Sequence, residues 1–287
     1  MSQIAPAHLR TGDHGTTTDG RDPAPSGQGG PETTGGPGWL TRARRNHLGL
    51  KLAPVGILGL VLAVYLYYRS LGLGDSVIQQ ASPLEWGTKL WPQLVQHLKI
   101  SFWSTLLVVL VAIPLGIALT RPPMRRFAPA IVTVANSGQA LPAYGLLILF
   151  LSLLGQGLWT TVVALVIYAI LPVLRNTMVG LDGVDRAVIE AGRGMGMTRL
   201  RVLTRIELPL AVPVILAGVR VAMILNIGMA TLAYLIGGGG LGVTISVGLK
   251  LQQDAVLIIG AAMVAIVALT FDWIGALAET YLRPRGV

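Results

Sequence analysis

Six long apolar stretches dominate the pattern of hydrophobic and polar positions along the chain. They cover roughly residues 52–68, 100–120, 128–154, 157–174, 208–236 and 255–276. An α-helix rises about 1.5 Å per residue, so about 20 apolar residues cross the ~30 Å hydrocarbon core of a bilayer, and most of these stretches are long enough. The pattern predicts an all-α, polytopic membrane protein with about six transmembrane helices.

The polar segments divide the chain into three predicted regions. Residues 1–38 are rich in Gly, Pro, Ser and Thr and lack any helix or strand period, which is typical of a disordered tail, and they lack the apolar core of a signal peptide. Residues 39–94 are expected to hold the first transmembrane helix and an outer loop. Residues 95–282 are expected to form the main transmembrane domain, which includes a long polar segment at 184–209.

Composition and charge agree with this class of protein. Of 287 residues, 53% are hydrophobic and 12% charged, which is unusual for a soluble domain. The net charge of +9 could indicate nucleic-acid binding, but fifteen Lys or Arg side chains flank alternate ends of the spans, against four at the opposite ends. Such an excess is typical of cytoplasmic loops. We therefore expect a multi-pass protein of the cytoplasmic membrane that contacts lipid and no nucleic acid, with both termini in the cytoplasm.

The polar segment at 184–209 is expected to be more than a connector. Residues 184–193 have helical composition, and Gly192, Gly194 and Gly196 are expected to interrupt that helix. Thr198 is suited to cap a second helix, and Pro209 is suited to the first turn of the next span. The pattern predicts a helix, a bend and a helix on the cytoplasmic face. The structural alternative is a basic loop that only satisfies the topology rule.

The same segment resembles the EAA loop of permeases from ATP-binding-cassette (ABC) importers. The family pattern is E-A-A-x3-G-x9-I-x-L-P. The corresponding positions are Glu190, Ala191, Gly192 (where the pattern has Ala), Gly196, Ile206, Leu208 and Pro209. In that family the loop forms a short coupling helix that sits in a groove of the ATP-hydrolysing subunit. The resemblance implies that these residues transmit closure of that subunit to the spans. Glycine in place of alanine is expected to cost about 1 kcal/mol of helix propensity.

Residues 170–181 (ILPVLRNTMVGL) and 230–249 (ATLAYLIGGGGLGVTISVGL) are similar to permeases for quaternary-amine osmoprotectants such as glycine betaine, choline and carnitine. With the EAA loop, the resemblance covers about residues 95 to 280. It implies import by alternating access, with ABC ATPase subunits, an extracytoplasmic solute-binding protein and a second permease chain, identical or different, as partners. A permease for methionine or another amino acid is the nearest alternative.

Polar residues and glycines within the predicted spans are candidates for the translocation path or gate, because polar groups are costly against lipid. These candidates are Asn136, Gln139, Pro142, Tyr144, Asn176, Asn226, Thr231, Tyr234, Gly237, Gly238, Gly239 and Gly240. The four consecutive glycines also predict a turn, since each costs about 1 kcal/mol in a helix. The alternatives are a packing kink with polar contacts between helices and, for the tyrosines, anchoring at the membrane interface.

Two charged residues, Arg220 and Asp272, lie within predicted spans. An unpaired charge in a span is expensive, so we expect the two to pair with each other or with nearby carbonyls. We favour a structural role for Arg220 and Asp272 over a direct role in transport.

The sequence does not favour catalysis by this chain. No GK[ST] tripeptide occurs, so ATP and Mg are expected to bind to a partner chain. Cysteine is absent and the four histidines precede residue 100, so we expect no metal site. Asp272 is the one acidic residue deep in a predicted span, with no histidine near it in sequence, and we therefore expect no catalytic residues. A stand-alone channel would also explain six spans, but it would not need the EAA pattern.

Overall fold

The computed structural model describes residues 38–72 and 83–282, and within these ranges the chain forms helices and no strands. The predicted tail lies outside the described residues except for Gly38. The α-helices are α1 (Gly38–Ser70), α2 (Trp91–Leu119), α3 (Pro122–Arg125), α4 (Ala128–Ala140), α5 (Ala143–Leu154), α6 (Leu158–Asp182), α7 (Arg186–Gly194), α8 (Arg199–Val202), α9 (Leu208–Met229), α10 (Gly242–Leu251) and α11 (Asp254–Tyr281).

Five helical segments of the described chain are long and apolar enough to cross a membrane. They are Leu50–Ser70, Trp86–Leu119, Leu158–Asp182, Arg199–Ile236 and Asp254–Tyr281. Two of them contain short irregular turns, because a π-helical turn at Trp86–Leu90 precedes α2, while another at Leu203–Glu207 and a 3-10 turn at Ala230–Ile236 flank α9. The chain is thus a multi-pass, all-α membrane protein, as predicted.

The predicted third span is not a single straight helix. Helices α4 and α5 meet at an angle of 100° across Leu141 and Pro142, and the pair counts as a sixth span only if both helices belong to one crossing. Leu141 has an extended backbone (ψ 138°), which is the conformation that a following proline favours. Pro142 has no N–H to continue the helix. The break lies within the polar stretch where the sequence predicts an interruption, and we call it the elbow.

Helix α6 is the centre of the domain and packs against α2, α4 and α9. Its residues Ala169, Val173 and Leu174 form a buried cluster with side chains of α2 and α9. Glycines bring these helices close together. A Cβ atom at Gly116 of α2 would lie 2.8 Å from Thr177 Cβ, and one at Gly218 of α9 would lie 2.7 Å from Asn176 Cβ. Such small residues are typical of contacts between membrane helices.

The helices meet at two opposite ends of the domain. At the first, which we call the coupling end, Arg121 after α2 contacts Glu207 before α9, and Arg125 lies 3.9 Å from Asp182 at the end of α6. At the second, the turn end, Gly157 at the start of α6 donates to Ile236 O at 3.0 Å. Helices α2 and α6 therefore run in the same direction.

Candidate functional site

The coupling segment, residues 184–209, begins with the capped helix α7. Asp185 accepts a hydrogen bond from Ala187 N at 2.9 Å and so satisfies one of the free N–H groups at the helix start. Glu190 and Ala191 lie on this helix and are exposed. Helix α7 ends at Gly194, and the chain bends at Gly196, whose φ of +81° suits glycine. A helix followed by a bend is the predicted arrangement.

The second half of the coupling segment runs into α9 without a break. Thr198 Oγ1 accepts from Arg201 N at 3.4 Å, which places the predicted cap at the start of α8. The π-helical turn Leu203–Glu207 then leads into α9, and Pro209 lies in the first turn of that helix. The coupling segment is thus joined directly to a membrane span.

The prediction that Gly192 interrupts the first helix is wrong. Gly192 is buried inside α7, and a Cβ atom there would lie 2.6 Å from Ile206 Cδ1. Its missing side chain gives Ile206 room to pack against α7, and this contact with the π-helical turn compensates for the weak helix propensity of glycine. Gly192 and Ile206 therefore hold the two halves of the segment together.

The coupling segment exposes apolar side chains on both sides of Glu190 in the sequence. Val188 is 42% exposed, Met195 75% and Leu200 69%. Together with Glu190 and Ala191, these three residues form what we call the coupling surface. Val188 and Met195 lie outside the five long apolar segments, where exposed apolar side chains are typical of a surface that another protein covers, whereas Leu200 is the second residue of the segment Arg199–Ile236.

A buried ion pair, missed in the sequence analysis, connects the coupling segment to α2. Arg121 donates to both carboxylate oxygens of Glu207, with a distance of 3.3 Å for the Nη1–Oε1 contact. The Glu207 side chain is 5% exposed and that of Arg121 32%. Glu207 occupies the unspecified position of I-x-L-P. An acidic residue between two apolar positions at the start of a span was the available signal.

The four glycines form the predicted turn at the opposite end. The φ angles of Gly237, Gly239 and Gly240 are +76°, +73° and +83°, which non-glycine residues rarely adopt. Gln96 Oε1 on α2 accepts from Gly240 N at 3.4 Å. We call residues 237–240 the glycine turn.

The surroundings of the glycine turn leave no space for side chains. A Cβ atom at Gly238 would clash with Thr161, and one at Gly239 with Gln96. Just beyond the turn, a Cβ atom at Gly242 would overlap the backbone carbonyl of Thr231. Gln93 Oε1 accepts from Thr244 N at 3.2 Å and so holds α10 to α2. Contacts within the chain therefore fix the conformation of the glycine turn.

The other path candidates do not form one cluster. At the elbow, Asn136, Pro142 and Tyr144 are exposed, whereas Gln139 Nε2 donates to Tyr168 O at 3.0 Å. Asn176 and Tyr234 are half-buried, and the half-buried Thr231 donates to Gly228 O at 2.6 Å.

Asn226, another candidate for the path, lies between helices. Its side chain is fully buried, with the amide 3.0 Å from Thr105 Oγ1. With the amide oxygen facing that hydroxyl, the nitrogen donates to Leu165 O at 3.2 Å. A polar side chain in a span is stable when it is hydrogen-bonded between helices, which is the packing alternative for these candidates.

Arg220 and Asp272 form a two-point ion pair between α9 and α11. Arg220 Nε donates to Asp272 Oδ1 at 2.6 Å and Nη2 donates to Oδ2 at 2.7 Å, while Glu279 lies 3.7 Å from Nη1. In residues 38–72 and 83–282, no three His, Asp or Glu side chains meet as metal ligands would.

Sequence relatives of the chain are permeases. It is 45% identical over 201 residues to the choline transport system permease protein OpuBB of Bacillus subtilis (70% of this chain, 92% of that protein). It is 43% identical to the glycine betaine/carnitine/choline transport system permease protein OpuCB of the same organism, with equal coverage. It is 40% identical to the carnitine transport permease protein OpuCB of Listeria monocytogenes (70% and 91%).

Solved structures show the same fold at lower identity. An inward-facing structure of the methionine ABC transporter MetNI has a TM-score of 0.61 and 20% identity, covering 68% of this chain and 96% of that one. An amino acid ABC transporter gives 0.56 and 22%, covering 66% and 92%. The family model for the binding-protein-dependent transport system inner membrane component matches residues 112–285, more than half of the chain. The chain therefore belongs to this family, the permeases of ABC importers, as the EAA loop predicts.

Proposed function

We propose that this permease carries a quaternary-amine osmoprotectant, such as glycine betaine, choline or carnitine, into the cytoplasm. The observation that carries the proposal is the identity of 40–45%, over 70% of the chain, with permeases named for these solutes. The methionine transporter shares the fold at 20% identity, so it gives less support to the alternative of methionine or another amino acid.

The coupling surface is the proposed docking site for an ABC ATPase subunit, which would bind ATP and Mg. Glu190 offers a charge, while Met195 and Leu200 offer exposed apolar area in the same segment. Burial of such area drives association, and the charge helps to select orientation. The coupling end would then face the cytoplasm, as would both termini.

The way the coupling segment is attached supports alternating access as the proposed mechanism. Because the π-helical turn Leu203–Glu207 leads directly into α9, a push on α7 would reach a membrane span through the contact between Gly192 and Ile206. A solute-loaded binding protein would dock at the turn end of a pair of permease chains. The elbow, with Asn136 and Tyr144 exposed, is the proposed path wall, and the glycine turn the proposed gate.

The proposal is tested by purifying the chain with its ATPase and binding-protein partners and reconstituting the complex in liposomes. ATP hydrolysis and uptake are measured with glycine betaine, choline, carnitine and methionine. We expect at least one quaternary amine to stimulate both activities and methionine to stimulate neither. Stimulation by methionine alone would overturn the proposed substrate class, and uptake without an ATPase partner would overturn the mechanism.

A further inference from the structure

Helix α2 connects the two ends of the domain, and each of its ends is held to a different functional segment. At the coupling end, Arg121 follows α2 by two residues and is paired with Glu207. At the turn end, Gln96 accepts from Gly240 N and Gln93 accepts from Thr244 N. The whole of α2 has 29 residues and is about 43 Å long at 1.5 Å per residue.

The Arg121–Glu207 pair is suited to hold an orientation. Both carboxylate oxygens accept from the planar guanidinium, and this two-point contact restricts rotation as well as separation. Because the Glu207 side chain is 5% exposed, loss of Arg121 would leave a buried charge without a partner. The neighbouring Arg125–Asp182 pair is longer and more exposed. It has one contact, at 3.9 Å, and its side chains are 63% and 47% exposed.

The interior of α2 is packed tightly enough to move as one piece with α6. Val108 and Ala112 of α2 are fully buried against Ala169 and Val173 of α6. The close contact between Gly116 and Thr177 lies on the same interface. Packed helices of this kind shift as units, because their side chains interlock.

We propose that Arg121 and Glu207 are positioning residues through which α2 carries displacement of the coupling segment to the glycine turn. The turn end then rearranges in step with the nucleotide state of the partner. This inference deepens the proposed function: it rests on an ATPase docking at the coupling segment but not on the identity of the solute.

The test uses the absence of cysteine from the native chain. Gln156 is exposed and lies against Gly237, so Gln156→Cys places a single reporter thiol beside the glycine turn. The maleimide labelling rate is measured in the detergent-solubilised complex with its ATPase, without nucleotide and after trapping with ATP and vanadate. In the otherwise native chain we expect trapping to change this rate about fivefold or more, the usual size of coupling between sites.

Glu207→Gln, which keeps the shape of the side chain and removes its charge, should abolish the response of the reporter to trapping. Copurification of the ATPase and its basal hydrolysis should stay near the native values, which a general folding defect would not allow. Arg125→Gln, which disturbs only the exposed neighbouring pair, is the matched control and should keep the response. Gln96→Met removes the acceptor of the Gly240 N–H and so interrupts the same route at the glycine turn. It should also lose the response, and it decides the question if Glu207→Gln does not accumulate.

A full response in Glu207→Gln or in Gln96→Met would overturn the inference, as would the lack of any response in the native complex. Failure of the native complex to take up choline, glycine betaine or carnitine would instead count against the proposed solute class. The labelling response would still report on the route through α2.

Discussion

The coupling segment and the glycine turn lie at opposite ends of the same helices and are built in opposite ways. The coupling segment exposes Glu190, Met195 and Leu200 and is held to its own chain mainly through Ile206 and Glu207. At Gly238 and Gly239 the glycine turn lies so close to Thr161 of α6 and Gln96 of α2 that an added methyl group would clash. The coupling end carries the proposed docking surface, whereas contacts within the chain fix the conformation of the turn end. Substitutions should therefore reduce chain stability at the turn and partner binding at the coupling surface.

The comparison predicts its largest loss of stability for Gly242→Ala. The new methyl group would overlap the carbonyl oxygen of Thr231, and backbone cannot move aside as a flexible side chain can. We expect destabilisation of about 3 kcal/mol or more, seen as a lower Tm in detergent and a lower yield of folded protein. The control is Gly228→Ala, because a Cβ there meets nothing within 4 Å. Equal Tm values for the two variants would contradict the tight packing of the turn end.

Removal of the charge pair between the two ends should have the next largest effect. Asp272→Ala leaves Arg220 without its two-point partner inside a span. Since both side chains are about one-third exposed, we expect a loss of about 2 kcal/mol, below the 3–5 kcal/mol typical of a fully buried pair. Tm and uptake are the measurements.

Two further variants test whether the pairing of Arg220 with Asp272 matters. Reversal of both charges, Arg220→Asp with Asp272→Arg, should recover uptake that either single change removes. Glu279→Gln, which removes only the contact at 3.7 Å, should behave as the native chain. The absence of rescue in the double variant would show that these positions act separately.

Gly192→Ala should have a small effect, although it is the same type of change as Gly242→Ala. The added Cβ meets only the terminal methyl of Ile206, which can rotate away. Alanine also gains about 1 kcal/mol of helix propensity, so the two effects should cancel to within about 1 kcal/mol. Thermal unfolding in detergent measures the difference. A loss as large as that of Gly242→Ala would mean that α7 is as tightly specified as the turn.

Glu190→Lys should have the smallest effect on the stability of the chain and the most specific effect on function. Glu190 is exposed, and exposed substitutions usually change stability by less than about 0.5 kcal/mol. We expect ATPase copurification to fall at least about tenfold, which corresponds to 1.4 kcal/mol of binding energy, and uptake to be abolished. Glu85→Lys makes the same charge change at an exposed site near the turn end and should keep the ATPase. Normal uptake by Glu190→Lys would remove the coupling surface from the mechanism.

Local signals in the sequence were sufficient for much of this architecture. The apolar stretches predicted the spans because most of them are long enough to cross the bilayer. Thr198 placed the start of α8 and the glycines placed the turn, because capping and positive φ depend on residues close in sequence. The coupling segment carried both local signals and a family pattern, so its helix, bend and helix were predictable.

Features that depend on distant residues were not predictable in the same way. Arg121 and Glu207 are 86 positions apart, and neither residue alone indicates its partner. Asn226 was assigned to the path because polarity within a span is compatible with both a cavity and a contact between helices. Pro142 predicted an interruption, but the 100° angle depends on how α4 and α5 pack.

The contacts at the coupling end also bear on whether the chain crosses the membrane an even or an odd number of times. Arg121 follows α2, and Asp182 is the last residue of α6. Because these two helices are parallel and both end at the coupling end, the chain between them must cross the bilayer once. Helices α3, α4 and α5 lie between them, and the two arms of the elbow, α4 with 13 and α5 with 12 residues, are about 20 and 18 Å long, each too short to cross ~30 Å alone. We therefore expect α4 and α5 together to form one crossing. The predicted number of crossings is then even, and we expect Leu50 and Tyr281 on the same side of the membrane, in keeping with the hydrogen bond from Trp273 to Leu50 O.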